Sequence, residues 1–241
     1  MRPDRLLPGL ERMLQVCRMH GIELHQRSPA SSVPNAGEPV AGVPCDPLLS
    51  ALHSRVGTFG LSEGFFLFPF ETQEGRGIVT VNEEWRWDWS DPFRGLLVFA
   101  KEQALAYYFA TVPGLADEQG IQPVVWIDTY EDLYALPIAS SIDRFFDTYS
   151  HSLERQVELI REDSEFKARL ETESGPPAPD SLRALWSKDI PRINFPWEVP
   201  DLIARDESLV RLLRAGRFDF LMDGCEDAHE WVGKVLAAVS T

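Results

Sequence analysis

Residues 60–64, GLSEG, have the G-x-S-x-G spacing of a hydrolase nucleophile elbow, with Ser62 as the nucleophile. Such an elbow needs a strand before the serine and a helix after it, because the sharp turn between them exposes the hydroxyl. Here an apolar, strand-like run, FFLFPF, follows the serine, although His151 and His229 lie downstream and leave a triad order open. We therefore expect a chance match in a glycine-rich turn and predict that Ser62 is not a nucleophile.

Two groups of cysteine and histidine could in principle bind zinc, since both residue types are zinc ligands. Cys17, His20 and His25 are close in sequence, and Cys225 and His229 are four residues apart. Neither group has the paired C-x-x-C spacing of a zinc knuckle. Three cysteines are also too few, and odd in number, for a disulfide framework. We predict structural roles for these side chains, and neither a metal ion nor a cofactor.

The segment EEWRWDWSDPF, residues 83–93, has a tryptophan at every second position. In an extended chain Trp85, Trp87 and Trp89 would lie on one side. Aromatic side chains can stack on nucleic-acid bases, but that use requires a basic groove, and this segment is acidic. Two interpretations remain open, core packing and an exposed anchor for a partner protein, because tryptophan is enriched among binding hot spots.

Acidic residues are concentrated between residues 117 and 147, where seven carboxylates accompany one arginine. Several of them flank a predicted strand and the start of a predicted helix, so they could form one negative face that binds a protein. Ordinary solvated surface is the alternative. Paired carboxylates can also bind a hard cation or act as acids and bases, but no D-x-D-x-D-G loop is present. The seven are Asp117, Glu118, Asp128, Glu131, Asp132, Asp143 and Asp147.

The overall charge of the chain also favours a protein partner. The 241 residues include 38 acids and 23 bases, for a formal net charge of −15. Such a charge repels nucleic acid, whose binding depends on lysine and arginine, and favours encounter with a basic partner. An acidic composition that serves only solubility is the alternative explanation of this net charge. No apolar run is long enough for a membrane span, and no export signal is visible in the first residues. We expect a cytoplasmic protein with a protein partner, no nucleic acid and no membrane.

Hydrophobic periodicity predicts an α+β fold. Helical spacing indicates a helix over residues 4–20, with Asp4 as its cap, a short helix over 47–56, and a long helix from Ser140 or Ser141. Five apolar runs between them predict strands at 64–70, 77–82, 95–100, 104–111 and 122–128. Their short links require antiparallel pairing, and the third and fourth should form a hairpin. We expect a sheet of about five strands, covered on one face by the first and the long helix.

The breaker SGPPAPD, residues 174–180, divides the chain into a main domain, 1–173, and a C-terminal extension, 174–241. The extension contains a proline-rich stretch and two predicted helices, 206–215 and 226–239. It is too small for an independent core. We expect it to pack on the main domain through its large aromatic residues, Trp186, Trp197, Phe218, Phe220 and Trp231.

Three segments carry a resemblance to a known family: GLLVFAKEQALAYYFAT (95–111), QPVVWIDTYED (122–132) and IASSIDRFFDTY (138–149). In their order and wording they resemble the SMI1/KNR4 (SUKH) superfamily, over roughly residues 44–150. The last segment is similar to the phrase that opens the family's closing helix, with Ile142 where phenylalanine is more usual.

The resemblance implies a protein-binding fold without a catalytic centre. Many bacterial members of the family are immunity proteins that neutralise a cognate toxin, often a basic nuclease. We therefore expect an immunity protein whose partner is a basic toxin domain, present as a monomer or homodimer. The alternatives are a regulatory or scaffolding protein of the same fold and, least favoured, a hydrolase that uses Ser62.

Overall fold

The computed structural model describes residues 7–29, 32–61, 64–70, 77–102, 106–130, 133–162 and 192–239. Seven strands form one antiparallel sheet, in the order β1 (Leu24–Arg27), β4 (Thr58–Leu61), β5 (Phe65–Leu67), β6 (Leu97–Glu102), β7 (Tyr107–Thr111), β8 (Val124–Asp128) and β9 (Tyr134–Ala139). β2 (Pro39–Val40) and β3 (Val43–Pro44) form a separate hairpin. The α+β class and the antiparallel sheet are confirmed, with seven strands where about five were expected.

Seven α-helices accompany these strands within the described residues. They are α1 (Pro8–His20), α2 (Pro47–Val56), α3 (Ile78–Asp88), α4 (Ile142–Glu162), α5 (Pro200–Ile203), α6 (Glu207–Arg214) and α7 (Glu226–Ala238). Three predicted helices, α1, α2 and α4, correspond closely to the sequence periodicity. Ser141 caps α4 as expected, since its hydroxyl accepts a hydrogen bond from the Arg144 N–H at 3.2 Å. The predicted cap of α1, Asp4, lies outside the described residues.

The predicted hairpin is formed by β6 and β7, in which Lys101 pairs with Tyr108 and Leu97 with Thr111. β9 was not predicted, because Pro137 interrupts its sequence pattern. The structure accommodates this proline since β9 is the edge strand of the sheet, and an edge strand has one side on which no backbone N–H is needed.

Helix α4 covers one face of the sheet with aromatic side chains. Phe145 contacts the rings of Phe65, Phe99 and Phe109, with centroid distances of 5.4, 6.3 and 5.2 Å. These rings are fully buried and come from β5, β6 and β7. The core is therefore closed by α4, and α1 packs chiefly against α4.

Helix α1 approaches α4 through a glycine. A Cβ atom on Gly9 would lie 2.0 Å from the Asp143 carbonyl oxygen and 2.9 Å from the Asp147 nitrogen. The Asp143 carboxylate also caps α1 from the neighbouring helix, because its Oδ1 accepts hydrogen bonds from the Gly9 N–H at 2.9 Å and the Leu10 N–H at 3.3 Å. Both interactions require the two helix backbones to be close.

The substitution Gly9→Ala is expected to lower the free energy of unfolding by about 2 kcal/mol, because both atoms that the new methyl group would meet belong to backbone and must move. The matched control is Gly233→Ala in α7, where an added Cβ meets nothing within 4 Å. That control should gain up to about 1 kcal/mol from helix propensity. Urea unfolding of both variants checks the pair, and equal effects would contradict the close approach.

The prediction of a strand over residues 77–82 is wrong, because this segment forms the first half of α3. The side chains that α3 buries, Ile78, Val81, Asn82 and Trp85, follow helical spacing. Asn82 is the polar member that hides this pattern. Its Nδ2 donates to the carbonyls of Ile78 at 2.8 Å and Val98 at 2.7 Å, and its Oδ1 accepts from the Val98 N–H at 2.8 Å. These bonds fix α3 to β6 on the face of the sheet opposite α4.

The C-terminal segment, residues 192–239, packs on α4 and β9. Arg155 on α4 forms a two-bond ion pair with Asp201, at 3.0 and 2.6 Å. Asp206 caps α6 through the Leu209 N–H at 3.1 Å and accepts the Ser140 N–H at 2.7 Å. Helices α6 and α7 are confirmed.

The aromatic residues of the segment differ in where they lie. The Trp197 ring packs edge-on against Trp126 of the sheet, with ring centroids 6.3 Å apart, and Phe218 and Trp231 are buried. Phe220, in contrast, is 44% exposed, so the expectation that it anchors the segment is wrong. Trp186 lies outside the described residues.

Candidate functional site

The most exposed large apolar side chain recorded in the described part of the chain is Trp87, at 89% relative exposure. The prediction that Trp85, Trp87 and Trp89 share one side of an extended chain is wrong, because residues 85–88 are helical. In a helix, positions four apart share a face and positions two apart do not. Trp85 is accordingly 4% exposed and contacts Trp89, with ring centroids 5.7 Å apart, whereas Trp87 points away from the core.

Acidic side chains surround Trp87 on α3. Glu83 and Glu84 precede it by four and three residues and so share its side of the helix. Asp88 and Asp91 follow it and are exposed. We call the set Glu83, Glu84, Trp87, Asp88 and Asp91 the α3 surface. It combines one large apolar ring with four carboxylates.

A groove lies beside this surface, between α3 and the sheet. It encloses about 150 Å³, and its lining residues are Phe68, Val81, Glu84, Trp85, Asp88, Trp89, Lys101, Tyr108 and Thr129. We call it the α3 groove. At about 100° per residue, Glu84 and Asp88 lie between Trp87 and Trp85 around the helix. The α3 surface and the α3 groove therefore share these two carboxylates and are continuous.

Sequence reasoning placed Trp85 and Trp89 in the site but missed the other groove residues. Tyr108 comes from β7 and its ring contacts Trp85 at 5.3 Å, and Lys101 comes from β6. No local pattern joins these strands to α3. The spacing of Trp85 with Trp89, and of Glu84 with Asp88, is four residues in each case. In a helix this four-residue spacing places the two tryptophans in one row on α3 and the two carboxylates in another.

Arg86 lies on the other flank of α3. Its Nη1 donates to the Asn82 carbonyl at 3.3 Å, while its Nη2 is buried and has no hydrogen-bond partner. Burial lowers the pKa of Arg86, and the neighbouring Arg94 lowers it further, although Glu83 acts in the opposite direction. An arginine remains charged at neutral pH even so. The α3 surface is thus acidic towards the groove and mixed in charge on its far flank.

The acidic residues of the predicted set that the structure describes are spread along the sheet, and their forming one face stays a prediction. Thr111 pairs with Val124 at one end of β7 and β8, and Tyr107 pairs with Asp128 at the other, about 13 Å away at the usual strand rise. Asp117 and Glu118 lie in the connection at the first end. Asp117 accepts the N–H groups of Gln119 and Ile121 and so stabilises its own turn.

Other members of that acidic set have structural partners. Asp128 accepts hydrogen bonds from the Tyr130 N–H at 2.8 Å and the Tyr134 hydroxyl at 3.2 Å. Asp143 caps α1, and burial raises its pKa although the two N–H groups that it accepts act to lower it. The Asp147 carboxylate forms ion pairs with Arg144, whose Nη1 lies 3.7 Å from Oδ2, and with Arg12, whose Nε lies 4.0 Å from Oδ1. Glu131 and Asp132 lie outside the described residues.

Ser62 also lies outside the described residues, but its flanks are informative. β4 and β5 pair antiparallel on either side of it, with Gly60 opposite Phe66. A strand lies on each side of the serine, whereas a nucleophile elbow needs a helix after it. That Ser62 is not a nucleophile stays a prediction, and the expected result is that a fluorophosphonate probe leaves it unlabelled.

Cys17 is buried in α1, where burial raises the pKa of its thiol to about 11. In the described ranges, no three histidine, cysteine, aspartate or glutamate side chains are grouped as a metal site would require. The helices within those ranges are also too short or too polar to cross a membrane.

Comparison of the chain with protein-family models, with curated proteins and with solved structures finds no match.

Proposed function

We propose that this chain is a non-catalytic protein-binding module of the SMI1/KNR4 (SUKH) type, and that it works in the cytoplasm as an immunity protein for a basic toxin domain. The observation that carries the proposal is the α3 surface. A tryptophan that is 89% exposed contributes nothing to the core, and tryptophan is the residue type most often found at the energetic centre of protein interfaces.

The charge of the chain supports a basic partner. A net charge of −15 accelerates the encounter with a positively charged protein. The encounter slows as salt screens the charges, because the Debye length is only about 8 Å at physiological ionic strength. The carboxylates around Trp87 place part of that charge at the rim of the proposed contact. Rim charges act mainly on the association rate, while the buried ring supplies affinity.

The segments that resemble the family lie in consecutive parts of one structural unit. Residues 95–111 contain β6 and β7, residues 122–132 contain β8, and residues 138–149 contain the end of β9 and the first turns of α4. A hairpin, a further strand and a closing helix are what the resemblance implies, so this arrangement supports membership without a matching family model.

The proposal predicts that a toxin domain is encoded next to the gene of this protein, and that domain is the ligand in its test. We expect the two purified proteins to form a stable complex, and an equimolar amount of this chain to abolish the toxin's activity. Association should slow as salt is raised. A toxin that stays fully active and unbound at micromolar concentrations would contradict the immunity role. A stable complex with a partner that is not toxic would instead favour the regulatory or scaffolding alternative.

A further inference from the structure

We propose that the α3 groove receives one basic side chain, an arginine or a lysine, from the protein that binds at Trp87. This inference rests on the proposed function and adds to it the chemistry of one contact. The α3 groove adjoins the α3 surface through Glu84 and Asp88, so a partner that covers Trp87 also covers the mouth of the groove.

The walls of the groove suit the stem and the head of such a side chain. The rings of Trp85, Trp89 and Tyr108 line it. The centroid of the Trp85 ring lies 5.7 Å from that of Trp89 and 5.3 Å from that of Tyr108. Trp89 and Tyr108 are half-buried, so part of each ring faces the groove. Aromatic faces attract cations, and the methylene groups of arginine and lysine pack on apolar surface while the charge stays near water.

The charge of the chain favours a cation in the groove. The lining carries the carboxylates of Glu84 and Asp88 and the ammonium group of Lys101, and the chain as a whole has a formal net charge of −15. A field of that sign attracts a basic side chain and repels an acidic one.

The volume of the groove corresponds to about one side chain. A cavity of about 150 Å³ accommodates a molecule the size of benzene. A guanidinium group with its adjoining methylene groups has similar dimensions. The groove would therefore determine specificity at one position of the partner, next to the larger contact at Trp87.

The test uses the purified full chain and two probes, N-acetyl-arginine amide and N-acetyl-aspartate amide, followed by the NMR signal of the Trp89 indole N–H. We expect the arginine probe to shift this signal and to bind more tightly than the aspartate probe. Asp88→Asn should weaken binding of the arginine probe about threefold, and Lys101→Met should strengthen it by a similar factor. The control Asp223→Asn, an exposed acid outside the α3 groove, should change nothing.

The opposite signs of the two groove variants make the result decisive. Tighter binding of the aspartate probe, or an Asp88→Asn variant that binds the arginine probe as well as the wild type, would overturn the inference. The same variants separate it from the proposed function when the toxin domain is the ligand. If Trp87→Ala weakens that complex while Asp88→Asn and Lys101→Met leave it unchanged, the groove inference fails and the proposed function stands.

Discussion

Lowering the pH from about 7.5 to about 5 is expected to reduce the free energy of unfolding by about 2 kcal/mol through His53 alone. His53 is fully buried on α2 and packs edge-on against Phe70, with ring centroids 5.3 Å apart. Its Nδ1 lies 2.6 Å from the Gly57 carbonyl oxygen. Since a carbonyl only accepts, the neutral ring carries its proton on Nδ1.

The cause is the environment of the other ring nitrogen. Nε2 is buried and has no hydrogen-bond partner, so protonating it would place a charge in an apolar site. Burial lowers the pKa of His53 from 6.5 to about 4, although the bond to Gly57 acts to raise it. The folded state thus binds the proton more weakly than the unfolded state. Stability from this group is complete above pH 6.5 and is lost as the pH falls towards 4, where the loss approaches about 3 kcal/mol.

Urea unfolding of the wild type and of His53→Asn at both pH values measures this effect. The variant retains an N–H donor for the Gly57 carbonyl but has no imidazole, so its stability should fall with pH by about 2 kcal/mol less than that of the wild type. His229→Asn, at an exposed histidine, is the matched control and should behave as the wild type does. Equal pH dependence in the wild type and both variants would contradict a neutral, buried His53.

The parts of the fold that the sequence predicts well are those whose information is local. β6 and β7 are apolar runs joined by a short link. Helices α4 and α6 combine regular spacing with a capping residue, Ser141 and Asp206. β1 has a mostly polar sequence with three exposed side chains, and it is positioned by pairing with β4. No periodicity reports that kind of pairing, because the partner strand lies more than 30 residues away.

Helix α3 shows how two patterns can compete in one segment. Tryptophan at alternate positions is typical of a strand, but the buried positions 78, 81, 82 and 85 follow a helix. In the structure the segment is a helix, and Asn82 stabilises it with one hydrogen bond to its own turn and two to β6. A buried asparagine that reads as polar therefore concealed the apolar stripe.

The same difficulty affects the candidate site. Composition shows where acidic residues are concentrated, but it does not show which of them are already bound. Asp143 is committed to the N-terminus of α1 and Asp117 to its own turn. The carboxylates of α3 belong to the site because of the helix face on which they lie, and that face is defined only once the helix is known.

Replacing Trp87 by alanine is expected to weaken binding of the partner by about 30-fold or more, which corresponds to at least about 2 kcal/mol. The ring would be buried in the complex and would leave its contact area empty when removed. Because Trp87 is 89% exposed in the free protein, the same substitution should change the free energy of unfolding by less than about 0.5 kcal/mol. The two effects together distinguish a binding residue from a structural one.

The central claim, that the α3 surface binds a basic protein, is tested most directly by the dissociation constant of Trp87→Ala for the toxin domain, measured beside that of Phe220→Ala. Phe220 is also a large exposed aromatic residue, at 44%, but it lies in the C-terminal segment and not on α3. We predict a large loss of affinity for Trp87→Ala and little change for Phe220→Ala, with both variants folded. Wild-type affinity in Trp87→Ala would contradict the account.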